Sequence, residues 1–104
     1  MPLFTVIADY RGGTYIGQHK ASDPRGALVR WAAALLLIKG SYIGAQSKRK
    51  LLTAVQSKEE ALTRISGTVN VWLWHSDVLL PPIAIHIIQT EPVVPSQKMR
   101  TDAL

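Results

Sequence analysis

The sequence predicts an α+β fold: a four-stranded, mainly antiparallel sheet in the chain order ββααββ, with two or three helices packed on one face. Three observations predict it. Strand patterns stand near both ends of the chain, helical spacing occupies the middle, and 104 residues amount to one domain. Helices on one face of such a sheet bury the apolar stripes of both element types against each other.

The first strand is expected from Leu3 to Tyr10, where Phe4, Val6, Ala8 and Tyr10 alternate with Leu3, Thr5, Ile7 and Asp9. Arg11-Gly12-Gly13 then reads as a hairpin turn, with Gly-Gly supplying positive φ, and Thr14 to Gln18 returns as the second strand. Ser22-Asp23-Pro24 is a helix start: an oxygen side chain can cap free amides, and proline suits the first turn. The helix is expected to run to Lys39, ahead of Gly40, with Leu28, Trp31, Leu35 and Ile38 on one stripe. After a connection over Ser41 to Ser47, Leu51, Leu52 and Val55 predict a short helix from Lys48 to Gln56. Ser57-Lys58-Glu59-Glu60 fits a capping box and predicts a third helix, with Ala61, Leu62 and Ile65 facing inward. One bent helix from Lys48 to Ser66 is the alternative. Val69 to Trp74 is the third strand, His75-Ser76-Asp77 a turn, and Ile83 to Thr90 a nearly continuous apolar fourth strand, hence central or covered. Residues 1–91 form the domain, and the proline- and polar-containing 92–104 is expected to be an extended tail.

Composition narrows the function. Hydrophobic residues make up 47% and charged residues 18%, which is globular composition. The absence of cysteine excludes disulfides and thiolate metal sites and fits a reducing compartment. The N-terminus lacks a signal-peptide pattern, and the longest apolar run, Trp31 to Ile38, is far short of the roughly 20 residues of a membrane span. A cytoplasmic location is expected. The net charge of +5 fits either an acidic or polyanionic partner or plain solubility.

No catalytic constellation stands out, and no cofactor or metal is expected. Gly12-Gly13-Thr14 lacks the lysine and helix of a phosphate loop. His19, His75 and His86 have no metal-site spacing. His75 beside Asp77 reads as a turn rather than an acid/base pair, and the carboxylates suggest no dyad. Lys48-Arg49-Lys50 is a compact basic cluster, either a solvated helix face or a grip on phosphates.

The third strand offers Asn70, Trp72 and Trp74 on one face, and Val69, Val71 and Leu73 on the other. Either face can be the one the helices cover. If they cover the valine face, the open face carries Asn70, Trp72, Trp74 and His86, with Arg11 and Tyr15 extending it at one end. These six are the candidate partner-binding residues, because Arg, Tyr and Trp bury large areas while keeping a polar handle. If the helices cover the tryptophan face, the tryptophans are core.

The stretch from Phe4 to Gln18, with its Gly12-Gly13-Thr14-Tyr15 hairpin, followed by Ala21-Ser22-Asp23-Pro24, Ala27-Leu28 and Trp31, resembles small immunity proteins of bacterial contact-dependent growth inhibition systems. The resemblance covers about the first third of the chain. It implies a non-enzymatic cytosolic protein that binds and neutralises a toxin domain, often a nuclease. Many such proteins are acidic, whereas this one is basic. The alternative reading is a small basic nucleic-acid-binding or regulatory domain acting through Lys48, Arg49 and Lys50.

Overall fold

A computed structural model describes residues 1–38, 43–57 and 60–90. The expected tail 92–104 lies outside these residues, as do Lys39 and Gly40, although the first helix ends earlier than expected, at Leu35. Among the described residues the architecture is α+β, with two helices and a sheet of five strands rather than four.

Strand β1 (Leu3–Tyr10) and strand β2 (Gly13–Lys20) form an antiparallel hairpin whose register runs unbroken from Leu3↔Lys20 to Tyr10↔Gly13. The two residues between them carry the positive φ values, Arg11 at 53° and Gly12 at 78°. This is the type I′ pattern, which matches the twist of the flanking strands. The turn therefore sits one residue earlier than Gly12-Gly13, and an arginine occupies a backbone region that non-glycine residues seldom adopt.

Helix α1 (Pro24–Leu35) begins at Asp23, whose carboxylate accepts from the Gly26 amide at 2.7 Å, with Pro24 in the first turn. Leu28, Trp31 and Leu35 are buried as expected, but Ile38 lies past the helix and is 49% exposed. Gly17 permits the approach of α1 to β2. A Cβ there would stand 3.0 Å from both Trp31 Cδ1 and His19 Nε2.

Helix α2 (Ala45–Ser57) is longer than expected at its start and packs antiparallel beside α1, with Leu51 and Val55 in the core. Among the described residues no third helix follows. Ser57 Oγ bonds back to the Ala54 carbonyl at 2.9 Å, as at a helix end, and Glu60 is engaged elsewhere. Thr63–Arg64 form a short strand β3 instead, and Ile65 sits in the turn leading onward.

Strand β4 (Val71–Ser76) takes in His75 and Ser76, which were expected in a turn, and strand β5 (Ile83–Gln89) is central. The sheet order is β2-β1-β5-β4-β3, with every pair antiparallel. The helices cover the face carrying Phe4, Val6, Ala8, Trp74, Ile83, Ile85 and Ile87, all buried.

Candidate interaction surface

Register decides what each face displays. Trp74 lies opposite Ile85 and Trp72 opposite Ile87, so both tryptophans share the face of the buried isoleucines. The helices thus cover the tryptophan side, and the open-face placement of Trp72 and Trp74 is corrected. The physical reason lies in β5. Ile83, Ile85 and Ile87 form its most apolar face, and pairing carries the tryptophans to the same side. Trp74 is fully buried. Trp72 is half-buried, with its ring 6.2 Å from that of Phe4 and the Arg64 guanidinium 5.7 Å above it.

Asn70 and Tyr15 are also tied into the fold, whereas Arg11 is not. Asn70 clasps the sheet end: its side-chain amide donates to the Gln89 carbonyl at 3.1 Å, and its own carbonyl accepts from the Gln89 amide at 2.9 Å. Tyr15 is half-buried against the core on the helix-facing side of β2. Arg11 is exposed at the hairpin tip, with its guanidinium 5.8 Å from the Tyr10 ring centre. Of the six, His86 alone projects from the open face within the sheet, opposite Ile7 on one side and Leu73 on the other.

The open face is built around His86. One row crosses all five strands in register: Ile16, Ile7, His86, Leu73 and Thr63. Beside it run Gln18, Thr5, Ile88 and Val71. Ile16 is 64% exposed, and Ile7, Leu73, Ile88 and Val71 are half-buried, with no helix above them among the described residues. Polar contacts rim the patch: Gln18 Nε2 donates to Thr5 Oγ1 at 3.1 Å, and Thr14 Oγ1 donates to the Asp9 carboxylate at 2.9 Å. Branched side chains across the strands, bordered by short polar groups, make a shallow, largely apolar surface. Sequence reasoning passed over Ile7, Ile16 and Leu73 because they are ordinary strand residues, and only the assignment of the covered face distinguishes them.

The basic triplet does not form one patch. Lys48 is buried, and its ammonium donates to the Ile38 carbonyl just beyond α1. It shares a helix face with Leu51 and Val55, so position rather than charge governs its role. Arg49 and Lys50 are exposed and line an open groove of about 510 Å³ with Gln46, Thr53, Ser57 and Val78.

A smaller hollow of about 280 Å³ brings together Glu60, His75, Ser76 and Asp77. The Ser76 hydroxyl is buried, donating to Glu60 Oε2 at 3.0 Å and accepting from the Val78 amide at 3.1 Å. Both bonds hold the loop after β4, and they leave the oxygen poorly placed for attack on a substrate. Among the described residues, no group of three or more His, Asp or Glu side chains is arranged to hold a metal ion. His19, on the helix-facing side of β2, has its pKa lowered, first by burial and then by the nearby Arg30 charge. Among the described residues, no helix is long and apolar enough to cross a membrane.

No protein-family model, no curated protein and no solved structure matches this chain.

Proposed function

We propose that this chain is a non-enzymatic interaction protein of the immunity type, which binds a toxin domain in the cytosol and neutralises it. The observation that carries the reading is the uncovered sheet face, where Ile16, Ile7, His86 and Leu73 form one row across four strands. A rigid sheet holds such a row ready for binding, so little ordering cost falls on association. The hairpin-helix start that resembles immunity proteins supports the same reading, and in this fold it supplies the Ile7–Ile16 half of the row.

The basic-domain alternative is the weaker of the two. It needs Lys48, Arg49 and Lys50 to act together on phosphates, and Lys48 is committed to the Ile38 carbonyl.

The test is co-expression with the C-terminal region of a large secreted protein, should one be encoded beside this gene. Growth should be rescued by the wild type and lost with Ile7→Asp or Leu73→Asp variants that remain folded. Failure of the wild type to rescue growth, together with no complex in size-exclusion chromatography, would overturn the reading.

A further inference from the structure

The two edges of the sheet are unequal. The β3 edge is two residues long, and Arg64 there is stacked on Trp72. The β2 edge is eight residues long, holds register with β1 throughout, and contains no proline and no bulge. Natural sheets usually blunt an edge of this kind, because its free amides and carbonyls template another strand.

Register identifies those free groups. In a two-residue hairpin the closing pair, here Tyr10 and Gly13, is hydrogen-bonded, and the pattern then alternates along the ladder. The Ala21 amide donates to the Pro2 carbonyl at 3.2 Å, which continues the same phase beyond the strand end. The backbone groups of Gly13, Gly17 and His19 therefore turn toward β1, and those of Thr14, Ile16, Gln18 and Lys20 turn outward. Among the described residues, no backbone bond outside the strand ladders engages these four. All four side chains are exposed, and all stand on the open face.

We infer that the β2 edge pairs antiparallel with β2 of a second copy of this chain, about a two-fold axis at Gly17. The outward set is symmetric about that residue. Thr14 then pairs with Lys20 of the second copy, and Ile16 with Gln18, each twice over, as a self-complementary two-fold interface requires. Charge complements the register. Opposite each Lys20 stands a Thr14 whose hydroxyl already bonds to Asp9, and that carboxylate lies two strands away, about 10 Å. A lysine stem and an aspartate side chain span that gap. The two Ile16 side chains meet diagonally near the axis and cover apolar surface that is 64% exposed in the single chain. With the axis perpendicular to the sheet, both helical layers fall on one side, and the two open faces join into one. This inference goes beyond the proposed function, because a monomer can bind a toxin equally well.

The experiment is analytical ultracentrifugation of the full chain from low micromolar to about 0.5 mM, paired with thermal melts of every variant. The wild type is expected to sediment as a concentration-dependent dimer. Gln18→Pro removes an outward amide and no bond of the β1 ladder, so it should stay folded and weaken association at least tenfold. Ile16→Lys serves as the second variant, with the same expected loss, and stands in if the proline variant does not fold. The chain has no cysteine, so engineered thiols report without background. An Ile16→Cys chain mixed with a Gln18→Cys chain should form the mixed disulfide in preference to either homodimer. A wild type that remains monomeric at the highest concentration would overturn the inference. So would a dimer indifferent to both edge variants, or an absence of mixed disulfide.

Discussion

Arg25, in the first turn of α1, donates from its guanidinium to the carbonyl of Val55, in the last turn of α2, at 2.9 Å, and to the Glu60 carbonyl at 2.8 Å. Lys48, near the start of α2, donates to the Ile38 carbonyl beyond the end of α1. Each helix thus supplies a cation to the carbonyls at the other's C-terminal end, where the macrodipole is negative and backbone acceptors lack helical partners.

Arg25→Ala should therefore destabilise the domain by about 1.5–3 kcal/mol, the range for hydrogen bonds to a charged group. Arg25→Lys should recover only part of this, because a single ammonium cannot reproduce the planar fork that reaches two carbonyls. Chemical denaturation of the three proteins measures the difference. Equal stability of all three would show that water satisfies these carbonyls equally well.

Trp74 is fully buried, and its indole N–H finds no acceptor among the described residues. Truncation and conservative replacement should therefore separate widely. Trp74→Ala should cost about 3–5 kcal/mol through lost burial and the cavity left behind. Trp74→Phe should cost far less, because it removes a buried donor that lacks a partner, and this partly offsets the lost volume. Melting temperatures read both. A phenylalanine variant as unstable as the alanine variant would mean that the indole N–H is satisfied after all.

The fate of the tryptophans shows where the sequence was legible. The alternation of Leu3–Tyr10 located β1, the Asp23-Pro24 start located α1, and the apolar run from Ile83 located the central strand, since each is a local pattern with one physical solution. The face of β4 had two solutions, because Val71 and Leu73 are as apolar as Trp72 and Trp74. Pairing with Ile85 and Ile87 decides it, and that contact is not local. Ser57-x-x-Glu60 satisfied the capping-box spacing, but Ser57 closes α2 and Glu60 accepts from Ser76 across the fold. Lys48 was read by its charge, although its spacing of three and seven from Leu51 and Val55 already placed it on the buried stripe.

His19 gives the domain a pH dependence of defined sign. Burial first and Arg30 second lower its folded pKa, so near and below the ordinary imidazole value the unfolded chain binds more protons than the folded one. Its contribution is complete above about pH 6.5 and is lost as pH falls through that value toward the lower folded one. His19→Gln should therefore flatten the dependence of melting temperature on pH between about 5 and 7. An undiminished slope in the glutamine variant would assign the dependence to other groups.

The proposed partner-binding face is tested by separating affinity from stability. Leu73 and His86 are half-buried neighbours in the open row, with no helix above them among the described residues, so shortening both removes little core. A Leu73→Ala/His86→Ala double variant should melt close to the wild type and bind the toxin domain about 2 kcal/mol more weakly, roughly thirtyfold, the level that marks a hot spot. Trp72→Ala should behave in the opposite way. The Trp72 ring lies between Phe4 and Arg64 on the helix-covered side, and its loss should cost about 2–3 kcal/mol of stability. Its affinity should then be retained wherever the variant is still folded. Calorimetric titration at a temperature well below each melting transition, run beside the melts themselves, compares the two. If the double variant keeps full affinity while Trp72→Ala loses it in the folded state, the partner docks on the helix-covered side or at its β3 rim, and the open row is not the binding face.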